Sequence, residues 1–406
     1  MLFGLAWRNL WRQKSRTILS MTSMGFASCL LVFVLSLQLG SYETMKTNTL
    51  RIFDGFAQLQ PPGYADDPDI SNYIHDPVAA IAEVRGVNGI SAASPRSSTF
   101  VVLANGEISY GAAVFGVDPV AESAVSSLAT SVGAGRYLSA GDTDTMVLGS
   151  ALARNLGVEI GDRVTLLGSA ADRSVAADSL QVVGLFDTGI PQVDRQVAQM
   201  PIDRFRDTFM MEGGANVIVL GGESLSRVNR ALPEVREIGA RHGLVTLGWA
   251  ELQPALKQAI TLDATTSSAI YVSLVFVVVF IILNTLYMSV LERTREFGVL
   301  LAIGMKPGAI GRMMWIELIL LAAVGSFFGI ALGATAVLWF QKHGIPVAGM
   351  EDIMAQFGLP SRIYPRLSLF SALAGPAAIL ISVTLGGVIP FLRIRRLEPV
   401  SAMGAA

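Results

Sequence analysis

The residues best suited to a specific contact lie in one stretch, 291–312, between two long uncharged runs. The first half of this stretch carries Glu292, Arg293, Arg295 and Glu296. Opposite charges three positions apart can pair along the exposed side of a helix. The second half is mostly apolar, so the stretch predicts a short amphipathic helix at a membrane surface. Its chemistry is that of docking a partner protein rather than of catalysis.

The apolar side of this predicted helix is regularly spaced. Phe297, Leu300 and Leu301 fall at positions i, i+3 and i+4 and therefore share one face. Gly304 can end the helix, and Pro307 suits the first turn of the next one. A plain basic loop that only sets membrane orientation would explain the arginines. It would not explain the ordered glutamate, phenylalanine and glycine positions around them.

Four runs with few or no charges predict membrane-spanning helices. At about 1.5 Å per residue, about 20 residues cross a hydrocarbon core about 30 Å thick. The chain has 406 residues, of which 52% are apolar and 15% charged, as in a membrane protein with a large domain outside the bilayer. A cleaved signal peptide is the alternative for the first run, which is too long for one and lacks a clear cleavage site. The predicted spans are residues 18–39, 269–290, 313–340 and 370–392.

The distribution of Lys and Arg predicts the orientation. Residues 41–266 contain 16 basic and 26 acidic residues, a net charge of −10, whereas the segments on the other side of the spans are basic. Basic loops stay on the cytoplasmic side, so both termini are predicted to be cytoplasmic and the acidic domain to be outside, either periplasmic or extracellular. The predicted segments are a cytoplasmic amphipathic lead-in at 1–17, an outside domain at 40–268, a cytoplasmic loop at 291–312, a short outside loop at 341–369 and a cytoplasmic tail at 393–406.

The segment 40–268 predicts a large α+β domain, because short strand patterns alternate with helix and turn signals. Asp76 and Pro77 form a helix-starting pair, and Asn105-Gly106 between two apolar runs predicts a β-hairpin. About 220 residues are enough for a core of their own. The predicted strands are 56–60, 100–103, 108–117, 145–148, 162–167, 180–186, 217–220 and 244–247, and the predicted helices are 78–85, 151–156 and 225–240.

No pattern typical of an enzyme is present in the sequence. It contains no GxxxxGK[ST], GxSxG or HExxH motif, and its three histidines lack metal-ligand spacing. We therefore expect no catalytic residue, cofactor or metal in this chain. Its one cysteine, Cys29, excludes an intrachain disulfide.

The spans contain few polar groups, mainly Asn284, Thr285 and Glu317. An acid inside a membrane is a functional candidate, so Glu317 is either a proton relay or a packing residue that can pair with Arg312. These groups are too few to line a polar pathway. A predicted helix-packing face is formed by the small residues Gly325, Gly329 and Gly333.

Four stretches carry a resemblance to one family, the FtsX-like permeases with a MacB-like periplasmic core domain, which are membrane subunits of type VII ABC transporters. The stretches cover nearly the whole chain and occur in the family's order. They are LAWRNLWRQKSRTIL at 5–19, the core signature GRYLSAGD at 135–142 with VLGSALARNLG at 147–157, GDRVTL at 161–166 and VVGLF at 182–186, ERTREFGVLLAIG at 292–304, and RRLEPVSA at 395–402.

The resemblance implies a mechanism called mechanotransmission. A separate cytoplasmic ATPase dimer, which binds ATP and Mg²⁺, acts on a coupling helix, and the motion reaches the periplasmic domain. It implies a second permease chain, identical or related, and release or export of lipoproteins, lipids or other amphiphiles. It also implies a bacterial inner membrane, with the domain at 40–268 and the short loop at 341–369 on the periplasmic side. The alternative is a signalling scaffold that activates a periplasmic enzyme. The residues that match the coupling segment, and so form the predicted ATPase interface, are Glu292, Arg293, Arg295, Glu296, Phe297, Gly298, Leu300, Leu301, Gly304 and Lys306.

In lipoprotein-releasing members of the family, a loop between two core strands engages a periplasmic carrier. The matching segment is 168–179, and its candidate partner residues are Gly168, Asp172, Arg173 and Asp178. This segment is small and polar and has no aromatic anchor, which binding hot spots favour. The resemblance implies a periplasmic or outer-membrane partner for this segment, whereas its composition does not favour one.

Overall fold

In the computed structural model the chain divides into two compact units, which are described separately. The structure describes Gly4, residues 14–346 and residues 362–395. The helical unit consists of the described parts of Met1–Glu43, Ile260–Pro346 and Arg362–Ala406, and the α/β unit of Thr44–Ala259. Most of the predicted lead-in, most of the loop at 341–369 and most of the tail lie outside the described residues.

The elements are numbered along the chain. The helices are α1 Lys14–Ile52, α2 Pro77–Arg85, α3 Pro119–Val125, α4 Ser150–Leu156, α5 Pro191–Gln196, α6 Ile202–Thr208, α7 Leu225–Arg241, α8 Trp249–Leu252, α9 Pro254–Glu292, α10 Thr294–Ala302, α11 Pro307–His343, α12 Leu369–Gly386 and α13 Val388–Arg395. The strands are β1 Ala57–Gln60, β2 Ala92–Asn105, β3 Ile108–Val117, β4 Val132–Gly135, β5 Thr145–Gly149, β6 Arg163–Ser169, β7 Val175–Phe186, β8 Val197–Pro201, β9 Val217–Gly221, β10 Val245–Gly248, β11 Ile345–Pro346 and β12 Arg362–Ile363.

Among the described residues, four helical segments are long and apolar enough to cross a membrane: Thr17–Ile52, Pro254–Thr285, Pro307–His343 and Leu369–Leu392. Two of the helices that contain them extend well beyond the predicted apolar runs. Helix α1 continues to Ile52, and α9 begins at Pro254. Each of these two helices therefore has residues in both units.

The fourth apolar segment contains two prolines, Pro376 and Pro390, and its helix is interrupted at one place. Helix α12 passes through Pro376, and the interruption falls at Gly387, between α12 and α13. Pro390 has no backbone N–H, so it cannot donate the helix hydrogen bond to the carbonyl four residues earlier. The helix is therefore interrupted about one turn before the proline. The side chain of Trp315 donates a hydrogen bond to the Thr384 carbonyl next to this interruption, at 2.9 Å.

The α/β unit is organised around one mixed, mostly antiparallel sheet of ten strands. The strand order is β10-β1-β9-β2-β3-β8-β5-β7-β4, and β6 pairs with both β2 and β7. Only the β3–β8 and β5–β7 pairs are parallel among these described strands. Helices α2 and α7 cover one end of the sheet, over a core that includes Ile81, Leu220 and Val228. A second core, around Leu152 and Phe205, lies under α4 and α6.

The local signals in this unit are confirmed. The Asp76 carboxylate accepts the Val78 backbone N–H at 3.1 Å and caps α2, as expected of an N-cap. The Asn105-Gly106 turn joins β2 to β3, with Asn105 opposite Ile108. Gly106 has a φ of +60°, which a residue without Cβ adopts at no steric cost.

A buried polar cluster holds the start of the sheet. Arg96 on β2 and Glu122 on α3 form an ion pair, and both side chains are almost fully buried. Arg96 also donates to the Phe53 carbonyl at 2.8 Å and lies over the Phe53 ring, 4.3 Å from its centroid. Removing one member of such a pair would leave an unpaired buried charge, so the cluster fixes these elements together.

Candidate functional site

Helix α10 forms the centre of the predicted coupling stretch. Its C-terminus is a Schellman motif: the Gly304 N–H bonds to the Leu301 carbonyl and the Met305 N–H to the Leu300 carbonyl, both at 3.0 Å. Gly304 adopts a φ of +97°, which is strained for any other residue. Pro307 then opens α11 in its first turn. The sequence prediction of both helix ends is confirmed.

The apolar face of α10 is packed inside the helical unit. Phe297 is 2% exposed and Leu301 is 8% exposed, and Gly298 is buried. Leu300 is partly buried against the same cluster. The cluster also contains residues of α1, α9, α11 and α12, among them Met24, Ile282, Ile310, Met314, Leu318 and Ile379. This face therefore anchors α10, and it is not available to a partner protein.

The opposite face of α10 and the turn after it are exposed. Ile303 is 79% exposed and Val299 is 47% exposed. Glu292, Gly304 and Lys306 are exposed as well. This exposed face, with two apolar side chains beside a lysine, is the part of α10 that a partner protein could contact.

The ten residues predicted for the ATPase interface thus separate into groups. The exposed ones are Glu292, Gly304 and Lys306; Phe297, Gly298 and Leu301 are buried; Arg293, Glu296 and Leu300 are intermediate; and the side chain of Arg295 lies outside what the structure describes. Ile303 and Val299 were not predicted at this surface from the sequence. The prediction considered only the helix face that carries Phe297, Leu300 and Leu301, and these two residues lie on the opposite face.

Arg293, directly before α10, faces the helical unit and is 14% exposed. Its guanidinium lies 2.6 Å from a Glu317 carboxylate oxygen and 3.3 Å from a Glu296 carboxylate oxygen. It also lies over the Phe297 ring, 5.6 Å from the centroid. The sequence offered Arg312 as one possible partner of Glu317, but Arg312 donates to the Gly308 carbonyl one turn back on its own helix.

The three predicted packing glycines of α11 face α1. A Cβ atom at Gly325 would come within 2.9 Å of the Met21 carbonyl oxygen, and one at Gly329 would collide with the Gly25 carbonyl oxygen. At Gly333 the nearest atom, Cβ of Val32, would be 3.1 Å away. The two backbones can approach this closely because side chains are missing from the face.

The predicted partner segment 168–179 is the hairpin between β6 and β7. Asp172 and Arg173 lie exposed at its turn. Asp178 instead forms a bidentate pair with Arg204 of α6, with two contacts of 2.7 Å, and accepts a third hydrogen bond from Thr208. Gly168 packs beside Val101. Only the turn residues of this candidate set are therefore placed to meet a partner.

A groove of about 320 Å³ lies between α1 and α9 in the helical unit. Its apolar wall is formed by Val34, Leu37, Ile270 and Leu274, and its polar wall by Gln38, Ser41, Tyr42, Asp263, Ser267 and Tyr271. The Tyr42 hydroxyl donates to Asp263 at 2.7 Å and accepts from Gln38 at 3.0 Å. The Tyr271 hydroxyl is buried and has no hydrogen-bond partner in the described part of the chain.

Sequence reasoning missed this groove, although a signal existed. Asp263, Ser267 and Tyr271 recur every four residues and so share one helix face. The predicted second span began at Ala269, after two of the three. Among the residues that the structure describes, no group of three or more His, Cys, Asp or Glu side chains is placed to hold a metal.

A helical unit with four candidate membrane helices among its described residues, and a large α/β domain inserted after the first of them, defines a class of membrane protein. Two family models match this chain, the MacB-like periplasmic core domain over residues 17–235 and the FtsX-like permease C-terminal region over residues 268–399. The chain belongs to the FtsX-like permeases with a MacB-like periplasmic core domain. It is accordingly a permease subunit of the type VII ABC transporter class.

The similar proteins include two kinds of transporter component. The chain is 25% identical over 407 residues to the lipoprotein-releasing system transmembrane protein LolC of Neisseria meningitidis serogroup B, covering 95% of this chain and 93% of that one. It is 24% identical to the macrolide export ATP-binding/permease protein MacB 1 of Yersinia pestis, covering 98% of this chain and 60% of MacB. The extracellular domain of the ABC-type transporter YknZ aligns over 48% of this chain and 98% of that domain, at 16% identity and a TM-score of 0.35.

Proposed function

We propose that this chain is the membrane subunit through which a separate cytoplasmic ATPase drives the release or export of an amphiphile, such as a lipoprotein or lipid, at the periplasmic face. The ATPase binds ATP and Mg²⁺ and meets the exposed face of α10. A second permease chain, identical or related, completes the complex so that two ATPase subunits have two docking sites. Both termini of the chain are cytoplasmic, and the α/β unit is periplasmic.

The observation that carries this proposal is the exposed face of α10, between two candidate membrane helices. Ile303 and Val299 form an open apolar surface beside Lys306, held by a buried face that fixes the helix. Because its buried face is anchored, α10 can be displaced by a protein bound to its exposed face without unfolding. The full-length similarity to LolC supports a role of the same general kind.

The groove between α1 and α9 supports an amphiphilic substrate. One wall is aliphatic and suits an acyl chain, while the other carries Gln38, Tyr42 and Asp263, which suit a polar head group.

The test is association with the cognate ATPase. Purified alone, the chain is expected to hydrolyse no ATP, and co-expressed with the ATPase it should co-purify as an active complex. Ile303→Asp places a charge on the exposed apolar face and should reduce co-purification at least tenfold. Val175→Asp, at an equally exposed residue of the α/β unit, is the matched control and should have no effect. Normal association of Ile303→Asp would exclude α10 as the docking site.

A further inference from the structure

Arg293 was expected at the ATPase interface, but its contacts point inward. Glu317 lies on α11, inside the third candidate span, and its side chain is 9% exposed. A carboxylate at such a position is costly unless it is paired. Arg293 supplies the cation at 2.6 Å, and the same guanidinium also contacts Glu296, within α10, at 3.3 Å. The arginine therefore joins two helices through one side chain.

The remaining contacts of α10 complete this attachment. Phe297, under the Arg293 guanidinium, and Leu301 pack into the cluster that includes Ile310, Met314 and Leu318 of α11. Apolar packing resists separation of the two helices, but it is not directional. The charged contact has a defined geometry, because guanidinium and carboxylate groups bond only in certain orientations. Together they fix the direction of α10 relative to α11.

We propose that Arg293 is a positioning residue that fixes α10 on α11 through Glu317, so that a displacement of α10 is passed to α11, and that it does not contact the ATPase. This inference rests on the proposed function, in which the ATPase binds the exposed face of α10. From α11 the displacement can pass to α1, because the glycine face brings these two backbones together.

The experiment uses the full chain in complex with its ATPase in lipid nanodiscs. Two quantities are measured: co-purification of the ATPase, and the change in hydrogen exchange of the α/β unit between the nucleotide-free complex and the complex arrested with ATP and vanadate. Arg293→Met should leave co-purification within about twofold of wild type. It should reduce the ATP-dependent difference in hydrogen exchange of the α/β unit about tenfold, a factor within the range by which coupled sites usually affect one another. Arg293→Lys, which keeps the charge but not the guanidinium geometry, should retain an intermediate part of the change.

A second variant separates positioning from stability. Arg293→Met alone leaves Glu317 buried without this partner and is expected to lower the thermal midpoint. Arg293→Met/Glu317→Leu replaces the pair by apolar side chains and should restore the midpoint while the ATP-dependent change stays lost. If the double variant regains the ATP-dependent change, the pair only stabilises the fold and the proposal is overturned.

The remaining outcomes are distinguished by Ile303→Asp. Loss of co-purification in Arg293→Met as large as in Ile303→Asp would place Arg293 in the interface and overturn the proposal. A normal ATP-dependent change in Arg293→Met, with Ile303→Asp defective in association, would overturn the positioning role while the proposed function stands. Normal association of Ile303→Asp would instead refute the docking site itself.

Discussion

At the scale of single residues, the core signature at 135–142 has a clear physical basis. Asp142 accepts two hydrogen bonds from the Arg136 guanidinium, at 2.6 and 2.8 Å, and two from the backbone and hydroxyl of Ser139. Four donors on one carboxylate close the loop that follows β4. The Arg136 guanidinium, followed by the Ser139 donors, lowers the pKa of Asp142 from its ordinary 3.8 to about 2.

The lowered pKa of Asp142 predicts a pH dependence of stability. Because the folded-state pKa lies below the unfolded one, the carboxylate stabilises the fold above about pH 4, and this contribution is lost as the pH falls through about 2. Asp142→Asn should cost about 1–2 kcal/mol at pH 7, a modest value because Arg136 is half exposed. The difference in thermal midpoint from wild type should shrink below pH 4.

The control for this prediction is Asp144→Asn. Asp144 lies 3.7 Å from Arg163, and both side chains are about half exposed, so its loss should be nearly neutral at every pH. A wild-type midpoint for Asp142→Asn at pH 7, or an equal effect of the two variants, would show that the signature aspartate does not hold this loop.

At the scale of elements, the close contact between α1 and α11 gives a prediction for its glycines. Replacing Gly by Ala in a helix stabilises it by about 1 kcal/mol through helix propensity. The net effect on stability is therefore decided by the steric cost of the added Cβ at each position. At Gly329 a Cβ would collide with the Gly25 carbonyl oxygen and lie within 2.5 Å of Ser28 Cβ, whereas at Gly333 the nearest atom is 3.1 Å away. Gly329→Ala should cost about 1–3 kcal/mol, and Gly333→Ala should be close to neutral.

Thermal unfolding of the purified full chain in detergent measures both variants. The order of the two midpoints matters more than their absolute values, because the same helix and the same chemical change are compared. Equal midpoints for Gly329→Ala and Gly333→Ala would mean that α1 and α11 do not pack through this face.

The elements also show what the sequence could predict and why. Long apolar runs, the Asp76 cap and the Asn105-Gly106 turn act locally, so each could be assigned from its own residues. Strand β8 could not: Val197–Pro201 is short, contains the buried Gln199, and lies between β3 and β5, which come much earlier in the chain. The position of β8 in the sheet depends on pairing with strands that are distant in sequence, which a local sequence pattern cannot predict.

The candidate site divides in the same way. The ends of α10 were predictable, because glycine and proline act on their own backbone. The partner of Arg293 was not, because Glu317 is 24 positions away and the closer Arg312 satisfied the same charge argument. Which of two arginines meets a carboxylate depends on how α10 folds back on α11, and that follows from burial of Phe297 and Leu301.

At the scale of the whole molecule, charge is segregated along the chain. Residues 41–266 carry a net charge of −10, whereas the stretch 291–312 and the chain ends are basic. Lys and Arg near membrane helices resist translocation, and acidic residues do not. This difference underlies the proposed orientation, in which α10 faces the ATPase and the α/β unit faces the periplasm.

The orientation can be tested with one pair of cysteines of matched exposure. In a Cys29→Ala background, Val175→Cys and Ile303→Cys replace side chains that are 78% and 79% exposed, so any difference in labelling reflects the side of the membrane and not burial. In cells with a permeabilised outer membrane, an impermeant maleimide should label residue 175 at once and residue 303 only after the inner membrane is opened. The reverse pattern would show that the topology is inverted. Helix α10 would then lie on the periplasmic side, where a cytoplasmic ATPase cannot contact it.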